Sequence, residues 1–247
     1  MSESKVAQRV ALVTGGAVRL GRSITLGLAG AGYDVVVHYR SSEGPGRELA
    51  GQVETMGRVA VLTAGDLLEP EAATSVVEAA RARFGRLDLV VNSAASFQAG
   101  SLLDVDADDW DAVMSLNVRA PHLVVRAAAP LLRESRGSVV NVIDLSAFQP
   151  WTAYPAHAVS KAALAHLTRV QARALAPEVR VNAVAPGAVL PPEGESPEQL
   201  EKLRSMTPLG HLGDPEDVVR AVLYLADADY VTGQILTVDG GRLLGSF

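Results

Sequence analysis

The string His157-Ala158-Val159-Ser160-Lys161 lies at the start of a predicted helix, with a basic residue at each end. Four-residue spacing puts the imidazole and the ammonium on one helical face. An imidazolium can donate a proton, and its ordinary pKa of about 6.5 suits neutral pH. A lysine cation nearby would depress that value and favour neutral imidazole, which keeps one N–H donor but is a much weaker acid. Asp144, thirteen residues before His157 at the end of a predicted strand, would act in the opposite direction if it came close. Each of these groups has a plain reading too, as an ordinary helix lysine or a solvated loop carboxylate.

A second chemistry is written nearer the N-terminus. Residues 9–14 read as a strand and end in Thr14-Gly15-Gly16-Ala17-Val18-Arg19-Leu20-Gly21, from which a helix over 20–31 departs. Glycines allow a tight turn and close backbone approach to pyrophosphate, and the helix N-terminus adds amide donors and positive potential. A glycine-rich string is weak alone, but this placement after a first strand and before a helix makes it a cofactor turn. The second strand, 34–39, runs into His38-Tyr39-Arg40-Ser41-Ser42 with no acid before Glu43. A carboxylate there would hold the adenosine ribose of NAD. A guanidinium and two hydroxyls suit a 2′-phosphate instead, so the expected cofactor is NADP(H).

The elements that must position these groups are short β-branched runs alternating with helical stretches. Further strands are predicted at 58–63, 87–91, 137–143, 179–183 and 235–238. Helices are predicted from the second strand to about Met56, then at 69–84, 108–133, 156–176 and 215–226, with Pro121 and Pro130 inside the fourth. Strands apolar on both faces, each followed by a helix, imply an α/β fold: a single-domain, Rossmann-like, doubly wound parallel sheet of about seven strands with helices on both faces. No composition shift divides residues 1–247. One irregular stretch, 186–213, carries Pro191, Pro192, Gly194, Pro197 and Pro208 beyond the end of the sixth strand. Residues 187–213 are therefore expected to form a substrate loop or lid.

Taken together, these motifs resemble the short-chain dehydrogenase/reductase family over essentially the whole chain. The resemblance runs through the glycine turn, Asn92-Ser93-Ala94-Ala95, Asn117, the helix bearing Lys161, Pro186-Gly187 and Val238-Asp239-Gly240-Gly241. It implies cofactor contacts from Gly15, Arg19, Leu20 and Gly21 in the turn, from His38, Arg40, Ser41 and Ser42, and from Asp66-Leu67 at the adenine. Asn92, Ala94, Lys161, Pro186 and Gly187 complete that expected set. Arg19 in place of a middle glycine and Asp144 in place of the usual serine resemble the pteridine-reductase branch, in which the aspartate helps protonate a ring nitrogen. The resemblance also implies that Asn117, Asp144, His157 and Lys161 form the catalytic set, and that Ser96, Phe97 and Tyr154 face substrate, with Phe97 stacking on a flat heterocycle.

His157 departs from that pattern, because family members carry tyrosine there as proton donor. Three readings follow: a working acid, an orienting group beside a proton supplied by Asp144 or water, or an impaired site. Tyr154 lies three residues too early to replace it, and Pro155 restricts its backbone. The expected function is an NADPH-dependent reductase of a pterin-like or other small carbonyl or imine substrate. Its alternatives are a noncatalytic NADPH-binding sensor or interaction protein and a broad carbonyl or 3-oxoacyl reductase.

Composition narrows the remaining classes. The net charge of −6 argues against nucleic-acid or anionic-membrane partners. With no cysteine, disulfides and thiolate metal sites are excluded, and His122, His166 and His211 show no metal-ligand spacing. The polar stretch 1–9 lacks the apolar core of a signal peptide, and no apolar run is long enough to span a membrane. A cytoplasmic protein is the expectation. The family resemblance adds a homo-oligomer, a tetramer or dimer, through its long helices.

Overall fold

The computed structural model describes residues 8–191, 194 and 196–245. The first seven residues and Pro192 lie outside it. Seven strands make one parallel sheet: β1 (Arg9–Thr14), β2 (Tyr33–Tyr39), β3 (Ala60–Ala64), β4 (Leu89–Asn92), β5 (Ser138–Val142), β6 (Arg180–Pro186) and β7 (Ile235–Val238), in the order β3-β2-β1-β4-β5-β6-β7. Every neighbouring pair is parallel. The order reverses between β1 and β4, and a crevice opens at the carboxyl ends of strands where such a reversal occurs.

Alternate side chains of β1 serve opposite faces, and both faces are buried. Ala11 and Val13 pack with Ile24 and Leu28 of α1 (Arg19–Gly30), Leu49 of α2 (Glu43–Thr55) and Val218 and Val222 of α8 (Pro215–Asp227). Val10 and Leu12 pack with Val76 of α3 (Pro70–Phe84) and Val124 and Leu132 of α5 (Ala120–Ser135). Two buried layers explain why the strands read as continuous apolar runs. The 21-residue α6 (Pro155–Leu175) packs Leu164 and Ala165 against Ile143 and against Ala183 and Ala185 of β6. None of the described helices is long and apolar enough to cross a membrane.

Three elements differ from the sequence expectation. The helix expected at 108–133 is divided into α4 (Ala107–Met114), a π-helical turn at Ser115–Arg119 and α5. Pro121 has no N–H to give to the carbonyl four residues back, which belongs to Asn117, so one regular helical bond is missing beside the π turn. π turns of this kind often mark functional positions, and this one carries Asn117. The stretch expected to be irregular contains α7 (Pro197–Ser205), begun by a capping box between Ser196 and Gln199 with Pro197 in the first turn. Finally, β5 stops at Val142, so Asp144 lies two residues past the strand and caps a single 3-10 turn, Leu145–Ala147.

Candidate active site

The glycine turn between β1 and α1 is fixed from several sides. Gly15 adopts φ +63°, and a Cβ there would stand 2.9 Å from the Ala94 Cα. At Gly21 a Cβ would lie 2.2 Å from the Gly15 carbonyl oxygen, so helix and turn approach as only glycine permits. The Thr14 hydroxyl accepts from the amides of Ser93 (3.0 Å) and Ala94 (3.2 Å), tying the ends of β1 and β4 together. Thr25 of α1 donates its hydroxyl to the Gly21 carbonyl at 2.9 Å. Arg19 holds φ +50°, an uncommon conformation for a residue with a side chain, and its guanidinium donates to the Leu190 carbonyl at 3.2 Å. It thereby links the turn to the segment after β6.

His38 has a specific structural part in this turn. Its Nδ1 accepts from the Gly15 amide at 3.2 Å, so Nε2 carries the proton and donates to the Gly65 carbonyl at 3.0 Å. Burial pushes the imidazole pKa down, against the opposing pull of the Gly65 bond and of Asp66. A neutral ring with both nitrogens engaged shapes the turn from beneath. Asn92 also serves the scaffold. Its amide donates to Asn141 of β5 at 2.8 Å, Asn141 donates to Thr168 of α6 at 3.0 Å, and Asn92 does not line the cavity.

A cavity of about 610 Å³ runs from this turn across the sheet edge. At one end lie Arg40, Ser41 and Ser42, with Asp66 and Leu67 beside them. Gly15, Arg19, Leu20 and Gly21 line its middle. The other end holds Asp144, His157 and Lys161, flanked by Ala94, Ser96, Phe97, Pro186 and Gly187. The residues expected to serve cofactor, catalysis and substrate thus line one space, except Asn92, Asn117 and Tyr154. Val189 and Leu190, from the stretch expected to form a substrate loop, also line it, as do Leu116, Val142 and Ile143, which escaped sequence reasoning. Two of these, Val142 and Ile143, follow the rule that ligands bind at carboxyl ends of strands.

At the end holding Asp144, His157 and Lys161 the geometry is tight. His157, 2% exposed, directs Nε2 at the Asp144 Oδ2 (2.6 Å) and Nδ1 at the Ser96 carbonyl oxygen (2.8 Å). A carbonyl oxygen only accepts, so Nδ1 carries a proton. Burial raises the Asp144 pKa, but the His157 bond and the Lys161 charge outweigh it and hold the carboxyl below its ordinary range. Nε2 faces that carboxylate across the short contact, where a proton between the two groups would be shared by ring and acid. Lys161 is buried and donates to the Val142 carbonyl at 2.9 Å. Burial lowers its pKa, and Asp144 opposes that shift.

Asn117 stands behind this group and is fully buried. Its Oδ1 accepts from the Ser96 amide at 2.8 Å, and its Nδ2 donates to the Ser96 carbonyl at 3.1 Å and to the Ser160 hydroxyl at 2.9 Å. Ser160 in turn donates to the His157 carbonyl at 2.7 Å. Tyr154 caps α6 and does not line the cavity. Its ring stacks on Phe97 with centroids 4.1 Å apart, and Phe97 meets His157 edge-on at 4.6 Å. Phe97 is half exposed at the cavity mouth.

A parallel sheet with its glycine turn at the switch point has the architecture of a dinucleotide-binding fold. Comparison with known proteins makes this specific. The family model described as enoyl-(acyl carrier protein) reductase matches residues 16–242. An uncharacterised oxidoreductase of Mycobacterium tuberculosis is 38% identical over 94% of this chain and 91% of its own. L-rhamnose 1-dehydrogenase (NAD(P)+) of Sphingomonas is 33% identical over 94% of this chain and 95% of its own. Among solved structures, a blue fluorescent protein from a metagenomic library, in complex with NADPH, superposes with a TM-score of 0.89 at 33% identity, covering 97% of this chain and 99% of that one. The chain belongs to the short-chain dehydrogenase/reductase family and is an oxidoreductase.

Proposed function

We propose that this protein is an NADPH-dependent reductase that transfers a hydride to a small substrate bearing a C=O or C=N bond, with pterin-like heterocycles as the leading class. The observation that carries this reading is the continuous cavity from the Arg40 end to the Asp144–His157–Lys161 end. Its residues suit a nicotinamide dinucleotide: a cradle at Gly15 and Gly21 that any Cβ would fill, a cation and two hydroxyls for a 2′-phosphate, and a buried lysine for ribose hydroxyls.

When bound, the nicotinamide supplies the hydride. The chain's own residues handle the proton. The His157–Asp144 pair holds one proton beyond neutral imidazole and carboxylate, and it gives that proton from Nε2 to the substrate oxygen or nitrogen as the carbon receives hydride. The ring is left neutral with its remaining proton on Nδ1, donated to Ser96. In sum, substrate, NADPH and one proton give the reduced substrate and NADP+. Phe97, braced by Tyr154, offers a flat apolar surface suited to a planar ring. Residues 187–213 act as the substrate loop in this scheme, with Val189 and Leu190 facing the cavity.

One observation favours a noncatalytic NADPH-binding role instead: both nitrogens of His157 are already engaged within the protein. A broad carbonyl reductase also fits the family. The deciding experiment follows NADPH oxidation with dihydropterins, quinonoid dihydropterins, folates and simple ketones, using wild type and His157→Tyr. Wild-type turnover that falls in His157→Tyr is expected. Activity only in His157→Tyr would mean a site idled by one substitution, and tight NADPH binding without activity in either would favour the sensor role. Turnover of ketones alone would select the carbonyl reductase.

A further inference from the structure

Asp144 has two oxygens with different duties. Oδ2 faces only the His157 ring, whereas Oδ1 accepts the Ser146 amide at 2.8 Å and also the Ser146 hydroxyl. Ser146 is buried, does not line the cavity, and follows Asp144 by two residues in the 3-10 turn that Asp144 caps. Two donors on Oδ1 fix the rotation of the carboxylate, which leaves Oδ2 aimed at Nε2. They also spread its negative charge, which favours the ionised form. The charged groups facing Asp144 are His157 and Lys161, both from α6.

We propose that Ser146 is a positioning residue for proton delivery: its hydroxyl keeps Asp144 ionised and turned toward His157, so that the ring retains its second proton. The role rests on the proton-donor reading of the His157–Asp144 pair, yet Ser146 itself touches neither cofactor nor substrate. With its hydroxyl removed, the carboxylate would rotate more freely and bind a proton more readily. The pair would then pass from imidazolium–carboxylate toward a neutral acid beside a neutral ring.

The test needs no turnover, so it separates this assignment from the reductase reading. The carboxyl carbon of Asp144 is followed by NMR in 13C-labelled protein saturated with NADPH, and its signal is identified by its loss in Asp144→Asn. Ser146→Ala keeps the amide donor and removes only the hydroxyl. Its Asp144 titration is expected to move to higher pH, with NADPH affinity and circular dichroism unchanged. Ser146→Thr, which restores a hydroxyl, is expected to bring the titration back toward wild type. An unmoved titration in Ser146→Ala overturns the assignment, and so does a Ser146→Thr that shifts as far as the alanine variant. If the titration moves as expected while no substrate is ever reduced, Ser146 still holds the pair and only the reductase reading fails.

Discussion

Replacing Asp144 by asparagine preserves the shape of the side chain and removes its charge. In the proposed ion pair, His157 donates across the 2.6 Å contact to Oδ2 and the 2.8 Å contact to the Ser96 carbonyl. An asparagine at 144 can keep its oxygen on the two Ser146 donors and turn its NH2 toward Nε2. The ring would then accept there, lose one proton and become neutral, with every hydrogen bond still made. Removing one member of a buried ion pair costs about 3–5 kcal/mol when the other charge is stranded. Here the imidazolium can shed its proton, so a smaller loss of about 1–3 kcal/mol is expected at pH 7. The carboxyl is held below its ordinary value in the folded chain. The carboxyl's contribution is therefore fully present above its unfolded pKa of roughly 4 and disappears as pH falls through the lower folded value. Urea denaturation of both proteins from pH 7 to pH 3 should show a gap that is full near neutrality and narrows in acid. Because a neutral imidazole is a poor acid, reduction should slow by roughly 10²–10⁴ while NADPH affinity holds. A stability gap equal at both ends of the pH range would refute the ion-pair argument. Reduction within threefold of wild type would refute the proton-delivery argument.

Two other substitutions probe the cofactor end. Arg40→Asp should weaken NADPH binding by about 1.5–3 kcal/mol, roughly 10- to 150-fold, and leave NADH almost unaffected, as measured by fluorescence titration with each; equal losses would remove Arg40 from 2′-phosphate recognition. In Gly21→Ala the added Cβ meets the Gly15 carbonyl oxygen at 2.2 Å, a backbone atom that no rotamer can move aside. Thermal unfolding should show about 1–3 kcal/mol of lost stability, and cofactor affinity should fall with it; an unchanged melting temperature would mean that the turn is looser than its geometry indicates.

The sequence made the fold legible because its strands are buried on both faces and its helices have their own periodicity. It misjudged two places where local rules compete. A single helix is expected over 108–133, but a π turn at Ser115–Arg119 interrupts it just before Pro121, which has no N–H for the Asn117 carbonyl. The proline-rich stretch masked α7, whose start signal, Ser196-Pro197 with Gln199, was present in the chain. Leu116, Val142 and Ile143 carry no residue type that marks a cavity wall.

By itself the sequence determined the glycine turn and the pairing of imidazole with ammonium on one helical face. Both are local patterns, set by glycine conformation and helix periodicity. The surroundings of His157 were decided by tertiary structure alone. Its partners are a carboxylate thirteen residues away and a main-chain carbonyl sixty-one residues away. A carbonyl belongs to every residue and leaves no mark in a sequence. Only the fold, which carries the loop after β4 across the start of α6 and pins Ser96 with Asn117, makes that oxygen the acceptor that fixes the ring.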